Sequence, residues 1–164
     1  GANKLIGRLT HVPICVVGGS PQVGKILVAM DMSEEATKAL DFAGTMMDIT
    51  DCEVTLLHVI RGVESWTADA GEELKEAEKA AKTLLEDAVD RLERTGLNRD
   101  RISTKIRSGV ASRAETIVDE ARDSGCGTIV MGRRGLSRVE EFFMGRVSKK
   151  VLQLAKWNAV WVVS

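Results

Sequence analysis

From residue 25 onward, short apolar runs alternate with longer segments in which apolar residues recur at helical spacing. Four of the apolar runs have the length of buried strands, and they occupy residues 25–30, 54–60, 128–131 and 159–163. A further strand is predicted where Ile102, Thr104 and Ile106 alternate with polar residues, which is typical of a strand covered less well on one face. The longest apolar runs are about six residues, far below the roughly 20 that a membrane-spanning helix needs.

Four helices are predicted between these runs, at residues 33–48, at 71–95, after the capping-box pair Ser112 and Glu115, and at 141–156. Each has one apolar stripe. The stripe of the first helix comprises Ala36, Ala39, Leu40, Ala43 and Met47, and that of the second comprises Leu74, Ala77, Ala81, Leu84, Leu85, Ala88 and Leu92.

Strands that are apolar throughout and separated by helices indicate a parallel sheet with helices on both faces. We therefore predict an α/β fold, a three-layer α/β/α sandwich around a five-stranded parallel sheet, formed by a single domain at residues 25–164.

Residues before this domain resemble its end. Residues 2–17 can be laid on residues 148–163 without a gap, so that Lys4 falls on Lys150 and Val16 on Val162. This weak internal repeat predicts that residues 1–17 are the last helix and strand of a preceding repeat, that 18–24 are a linker, and that the chain is part of a tandem protein.

The linker contains a sequence that resembles part of a phosphate-binding loop motif. Residues 19–25 read G-x-x-x-x-G-K, but Ile26 stands where the motif needs a hydroxyl residue for Mg²⁺. Pro21 removes one backbone N–H donor, and Lys25 begins a strand rather than a helix. We interpret this stretch as a connector.

Charge and cysteine content narrow the class of partner. The 23 basic and 24 acidic residues give a net charge of −1, which provides no general attraction for nucleic acid or an anionic membrane. Cys15, Cys52 and Cys126 are isolated thiols that form no metal-ligand cluster with His11 or His58. With no signal-peptide pattern at the N-terminus, we expect a cytoplasmic protein without a bound metal.

The loop after residue 131 is the strongest candidate for chemistry, because ligands of open parallel sheets bind outside the carboxyl ends of the strands. It carries three glycines, which let backbone approach a ligand closely, and four arginines. These residues are Gly132, Gly135 and Gly145 with Arg133, Arg134, Arg138 and Arg146. The pattern indicates a phosphate site, or glycines that only turn the chain beside solvated arginines.

The spacing Gly132-x2-Gly135-x9-Gly145 resembles the nucleotide-binding motif of the universal stress proteins. The resemblance extends to residues 25–33 (K-I-L-V-A-M-D-M-S), to 57–59 (L-H-V) and to the closing V-W-V-V. It implies a flavodoxin-like or adenine nucleotide α-hydrolase-like domain with strand order 3-2-1-4-5. Many members of this family bind ATP, and they commonly dimerise through the fifth strand.

The resemblance also implies roles for individual residues. Asp31 would accept hydrogen bonds from ribose hydroxyls, or cap the helix that opens near Ser33, or do both. Ala29 and Val59 would line the base, whereas His58 is interpreted as a packed strand residue. The implied nucleotide-binding set is Ala29, Asp31, Val59, Met131, Gly132, Arg133, Gly135, Gly145, Arg146, Val147 and Ser148.

One position departs from the family motif. Gly145 is usually followed by Ser or Thr, but here Arg146 follows it. A guanidinium can replace the lost hydroxyl with a bidentate phosphate contact, or it can fold over the pocket and exclude the nucleotide. Retained binding is the expectation.

No nucleophile–base pair or carboxylate pair at catalytic spacing is present, and the S-G-G-x-D-S signature of related adenylating enzymes is missing. We expect a regulatory stress-response module that binds ATP, AMP or ADP, with Mg²⁺ as an optional companion. Two alternatives stay open: a nucleotide-free dimerisation or interaction domain, and a slow ATPase or autophosphorylating protein. The expected partners are an adenine nucleotide and either a second copy paired through strand 159–163 or the chain's own strand 13–17.

Overall fold

The computed structural model describes residues 13–20, 24–62, 69–133 and 146–164. Six strands and four helices follow one another along these ranges. In chain order they are β1 (Ile14–Val17), β2 (Lys25–Ala29), α1 (Glu34–Thr50), β3 (Glu53–Arg61), α2 (Ala70–Arg94), β4 (Ile102–Val110), α3 (Arg113–Asp123), β5 (Thr128–Gly132), α4 (Arg146–Leu154) and β6 (Ala159–Val163). Among these residues no helix is both long and apolar enough to cross a membrane.

The strands form one sheet of order β1-β6-β5-β2-β3-β4. Neighbouring strands are parallel except β1, which runs antiparallel to β6. The prediction of a five-stranded, wholly parallel sheet is therefore wrong in detail, because β1 makes the sheet six-stranded and mixed. The physical reason for the additional strand is the outer edge of β6. Without β1, the backbone N–H and C=O groups on the side of β6 away from β5 would have no partner strand.

The chain leaves β2 toward β3 and β4 and then crosses to the other side of β2 to form β5. Strand order therefore reverses between β2 and β5. The carboxyl ends of these two strands flank the topological switch point of the sheet, where open α/β sheets bind their ligands.

Each face of the sheet has its own core. On one face Val28 and Leu56 pack with apolar residues of α1 and α2, and on the other Leu27 and Ile129 pack with residues of α3 and α4. All five residues of the predicted α1 stripe are buried. In α2 burial begins at Ala81, and Leu74 and Ala77 are only half-buried.

The two ends of the G-x-x-x-x-G-K stretch, Gly19 and Lys25, lie at the amino-end edge of the parallel strands. Lys25 is the first residue of β2 and pairs with Glu53, the first residue of β3. Gly18 and Gly19 pack against the segment before β6, where a Cβ on Gly19 would lie 2.5 Å from the Trp157 ring. Both described ends of the stretch are thus at the edge opposite to the carboxyl ends of the strands.

One buried carboxylate ties α3 to the edge strand β4. Glu120 is 3% exposed, and its carboxylate accepts hydrogen bonds from Lys105 Nζ at 2.5 Å and Ser124 Oγ at 3.0 Å. Arg107 Nε lies 3.3 Å from the second carboxylate oxygen. Burial by itself would raise the pKa of Glu120, but the Lys105 and Ser124 hydrogen bonds and the Lys105 and Arg107 charges outweigh it and lower this pKa below its ordinary value.

Replacing Glu120 by Gln is expected to lower the free energy of unfolding at pH 7 by about 1–2 kcal/mol, a modest figure because both cations are about half exposed to solvent. A lowered native pKa contributes stability above the unfolded-state value of about 4.3, and this contribution is lost as the pH falls through the native pKa. The difference in the free energy of unfolding between wild type and Glu120→Gln, measured by urea unfolding, should therefore be smaller at pH 3 than at pH 7. The exposed Asp119→Asn on the same helix is the control, and a pH-independent difference would contradict the assignment.

Candidate functional site

The candidate site lies at the switch point. Paired residues of β2 and β5 extend to Val28 and Val130, and beyond them each strand continues toward the carboxyl edge. One lip of this edge is residues 29–31, at and just after the end of β2, and the other is residues 131–133, at the end of β5. The structure thus brings together two segments that are about a hundred residues apart in sequence.

Three apolar residues of the implied nucleotide-binding set share one face of the sheet. Ala29, Val59 and Met131 belong to the adjacent strands β2, β3 and β5, and all three pack with the core beneath α3 and α4. Val59 and Met131 are buried, whereas Ala29 is half-buried. They form an apolar floor on the α3/α4 side of the switch point, and Ala29 offers the most surface to a ligand.

Asp31 begins the loop between β2 and α1. Its Oδ1 accepts hydrogen bonds from the Ser33 backbone N–H, at 2.8 Å, and from the Ser33 hydroxyl. Ser33 is the N-cap of α1, since its Oγ accepts from the Ala36 N–H at 3.1 Å. Asp31 therefore supports the cap through Ser33. Both hydrogen bonds with Ser33 use Oδ1, so a role of Oδ2 toward a ligand is compatible with them.

Gly132 ends β5 directly beneath the first turn of α1. A Cβ at this position would lie 2.7 Å from the Glu35 carbonyl carbon and 2.9 Å from the Ala36 nitrogen. Such distances are too short for any side chain, so the glycine is required by the packing of α1 on β5. Its lack of a side chain has this explanation within the fold, in addition to the close ligand approach that the motif implies.

The first turn of α4 is fastened to the same strand end. Ser148 is 2% exposed, and its Oγ donates to the Gly132 carbonyl at 2.8 Å, with the Arg133 carbonyl at 3.3 Å. The Arg133 N–H in turn donates to Val163 O at 2.7 Å. Because the single hydroxyl hydrogen of Ser148 points to backbone carbonyls, this side chain positions α4 and has no second hydrogen to donate to a phosphate.

The remaining predicted residues divide between described and undescribed parts of the chain. Arg146 is exposed at the start of α4, Val147 is half-buried, and Arg133 is buried. Gly135 and Gly145, the second and third glycines of the motif, lie outside the described residues, as do Arg134 and Arg138.

Charges of opposite sign approach the site from its two sides. The α1 side carries Asp31 and the first-turn residues Glu34 and Glu35. The α4 side carries Arg146, Lys149 and no acidic residue in its first turn. The backbone N–H groups at the start of α4 also favour an anion. A ligand with a hydroxyl-rich part and an anionic part would match this polarity if its anionic part lay toward α4.

The profile of the "Universal stress protein family" matches residues 22–164. The chain belongs to the universal stress protein family. Universal stress protein YxiE of Bacillus subtilis (strain 168) is 30% identical to it over 142 residues, which cover 80% of this chain and 93% of the relative. Universal stress protein MJ0577 of Methanocaldococcus jannaschii is also 30% identical over 142 residues, covering 79% of this chain and 88% of the relative.

The solved structure of MJ0577 superposes with a TM-score of 0.71 and covers 85% of this chain and 94% of its own. Two further structures of universal stress proteins contain nucleotides. One is in complex with cAMP (21% identity, TM-score 0.66, 86% of this chain and 97% of that one), and the other, from Archaeoglobus fulgidus, is in complex with dAMP (23% identity, TM-score 0.59, 86% and 98%). At these identities the two likenesses establish the universal stress protein fold alone.

Sequence reasoning interpreted His58 as a packed strand residue, and the structure adds a specific contact. His58 Nδ1 lies 2.7 Å from the carbonyl oxygen of Met30, the residue before Asp31. Because the two residues are 28 positions apart, no local pattern of the universal stress protein sequence could indicate this bond. Only the pairing of β2 with β3 brings them together.

Proposed function

We propose that this universal stress protein is a regulatory stress-response module that binds an adenine nucleotide, AMP or ATP, in the crevice between Asp31 and Gly132. The observation that carries the proposal is the meeting of residues 29–31 and 131–133 at the switch point, with the first turn of α4 fastened to residues 132 and 133 by Ser148. Parallel sheets of this kind place their ligands at this point. The two family structures in complex with cAMP and dAMP support an adenine nucleotide as the ligand.

The proposed orientation follows the polarity of the site. The base lies against the half-buried Ala29 at the edge of the apolar floor. The ribose hydroxyls donate to the Asp31 carboxylate, and the phosphates face the backbone N–H groups at the start of α4. Arg146 is exposed, so its guanidinium is free to turn toward a phosphate and replace the hydroxyl that the family motif usually has there. Gly135 and Gly145 complete the proposed set, and Mg²⁺ is proposed only as the companion of the ATP phosphates.

Replacing Asp31 by Asn tests this proposal. The amide oxygen of Asn can still accept from Ser33, so the cap of α1 is retained while the charge toward the ribose is removed. We expect calorimetry to show AMP binding about tenfold weaker, as for one lost charge-assisted hydrogen bond. Asp119→Asn, an exposed change on α3, should bind like wild type. A wild type without saturable binding of AMP or ATP at millimolar concentration would contradict the proposed function.

We further propose that β1 is the last strand of a preceding repeat, residues 1–17, followed by a linker, 18–24, and the domain 25–164. The gap-free correspondence of sequence places Cys15 on Trp161 and Val16 on Val162. In the sheet, Cys15 lies opposite Trp161 and Val16 lies opposite Val160. Together these relations describe a local two-fold axis through the Cys15–Trp161 pair, at the centre of β6. Two copies of β6 would pair in the same way, so β1 acts as the partner strand of a pseudo-dimer within one chain.

The pairing of β1 with β6 is also what a nucleotide-free interaction domain would need, and it keeps that alternative open. The AMP titration separates the two functions, because only the nucleotide-responsive module binds AMP at the switch point. Catalysis is not part of the proposal. We propose the cytoplasm as its location, since its three thiols are those of a protein in a reducing compartment.

A further inference from the structure

His58 lies within β3, one residue beyond the last paired residues of β2 and β3, Ala29 and Leu57. Met30 N–H donates to Leu57 O at 2.8 Å, which extends the ladder by one bond. The carbonyl of Met30 is then 2.7 Å from His58 Nδ1. Both backbone polar groups of Met30 are thus held by β3, one by the strand's backbone and the other by its imidazole.

The direction of the second bond follows from chemistry. A carbonyl oxygen only accepts, so the hydrogen lies on Nδ1 of His58. The bond therefore requires a hydrogen on Nδ1 and fixes the orientation of the ring relative to Met30. Because the peptide group is planar, fixing the Met30 carbonyl fixes the plane of the Met30–Asp31 peptide and the direction in which the chain leaves the sheet.

The next residue after this peptide bond carries the carboxylate that we propose binds the ribose. Asp31 follows Met30, and its Oδ1 holds Ser33, which caps α1. The first turn of α1 rests in turn on Gly132. The backbone is therefore constrained at both ends of this short loop, by His58 before Asp31 and by Ser33 after it.

We propose that His58 is a positioning residue for nucleotide binding: its Nδ1–H holds the Met30–Asp31 peptide so that the Asp31 carboxylate faces the ribose hydroxyls. This inference rests on the proposed function. It assigns to His58 no contact with the nucleotide and no proton transfer, since its effect passes through the Met30 carbonyl.

Three variants of His58 separate a positioning role from simple packing. The side-chain nitrogen of Asn branches from Cγ, as Nδ1 does, so His58→Asn can keep the donor to Met30 O. His58→Gln carries the same amide one carbon further out, and His58→Leu has no donor. The variants are titrated calorimetrically with AMP and with 2′,3′-dideoxy-AMP, which lacks the hydroxyls that Asp31 would bind. Thermal melts confirm that each variant is folded.

We expect His58→Leu and His58→Gln to bind AMP about fivefold to tenfold more weakly than wild type, the effect of one net hydrogen bond. Their affinity for the dideoxy nucleotide should change less than about twofold, and His58→Asn should keep AMP affinity within about threefold. A general loss of packing would weaken both nucleotides equally in all variants, and that result would overturn the inference. So would AMP affinity that is unchanged in His58→Leu.

A second readout needs no ligand. In ¹H–¹⁵N spectra of the nucleotide-free protein, the amide signals of Asp31 and Ser33 should move in His58→Leu and stay near their wild-type positions in His58→Asn. Unmoved signals in His58→Leu would overturn the positioning role even if wild type binds AMP. Wild type that binds neither nucleotide would instead refute the proposed function, and the role of His58 toward the ribose would be refuted with it.

Discussion

Alanine in place of Gly132 is expected to lower the free energy of unfolding by about 3 kcal/mol, the upper range for overpacking a well-packed core. The added Cβ would meet backbone atoms of Glu35 and Ala36 at 2.7–2.9 Å, and neither atom belongs to a flexible side chain end. The first turn of α1 must therefore shift. Because Ser33 caps that turn and is held by Asp31, the same change should also weaken AMP binding by at least about tenfold.

Urea unfolding and AMP calorimetry measure the two effects on the same variant. Gly71→Ala is the matched control, since the residue is inside α2 and, among the described residues, no atom beyond the backbone of α2 and the two chain neighbours lies within 4 Å of its Cβ position. It should be neutral or stabilise by up to about 1 kcal/mol, as alanine favours helix over glycine. A Gly132→Ala protein as stable as wild type would show that α1 and β5 do not approach each other as closely as described.

The second large effect is expected from Val16→Pro, which should turn a monomer into a dimer. The Gly18 N–H donates to Asn158 O at 3.1 Å, and hydrogen-bonded pairs alternate along an antiparallel ladder. The next hydrogen-bonded pair is therefore Val16 with Val160. Proline at position 16 removes this N–H and displaces β1. The edge of β6 is then exposed, and a second copy can pair with it about the two-fold axis at Trp161.

Val17→Pro is the control, because the N–H of residue 17 points away from β6 and proline is tolerated at such positions of edge strands. Sedimentation velocity should show wild type and Val17→Pro as monomers over a concentration range in which Val16→Pro is mostly dimeric. If Val16→Pro sediments like wild type at every concentration, β1 does not occupy a site at which a second copy of β6 would pair. That result would contradict the proposed pseudo-dimer within one chain.

The elements that sequence predicted best are those with the strongest periodicity. The α1 stripe is fully buried as predicted, and β6 has the predicted bounds, Ala159–Val163. The strand predicted from the alternation of Ile102, Thr104 and Ile106 continues in the structure to Val110. Residues 107–109 are Arg, Ser and Gly, which have no apolar pattern. Arg107 and Ser108 are held in the strand by pairing with β3, and the register shifts before the next pair, Val110 with Arg61. Periodicity reports burial of side chains and misses strands made by backbone pairing alone.

The number of strands in the sheet is a second property that hydrophobic periodicity alone did not predict. Residues 13–17 were recognised as a partner for strand 159–163, yet the predicted sheet counted only the strands of the main domain. The internal repeat indicated this pairing, but a four-residue run such as Ile14–Val17 does not by itself determine the register of the pair. The antiparallel register with β6 is a tertiary property, and it became visible only in the folded chain.

For the site, chain order places the implied residues along the strands, whereas their contacts depend on tertiary structure. Asp31 and Gly132 do lie on the two lips of the switch point, because motif spacing and the carboxyl-end rule both depend on chain order. The implied set includes Ser148, and the structure adds that its hydroxyl donates to the Gly132 carbonyl. The bond from His58 to Met30 and the contact of Gly132 with Glu35 join residues far apart in sequence, so no local pattern could predict them.

The most direct test of the central claim is a titration of the ¹⁵N-labelled protein with AMP, followed by ¹H–¹⁵N correlation spectra. We predict saturable shifts concentrated at the amides of Asp31, Gly132 and Val147, which lie on the two lips of the switch point and in the first turn of α4. Signals of the groove between α2 and β4, lined by Leu85, Val89 and Ile106, should stay in place. Saturable shifts centred on that groove, or none at millimolar AMP, would contradict the account.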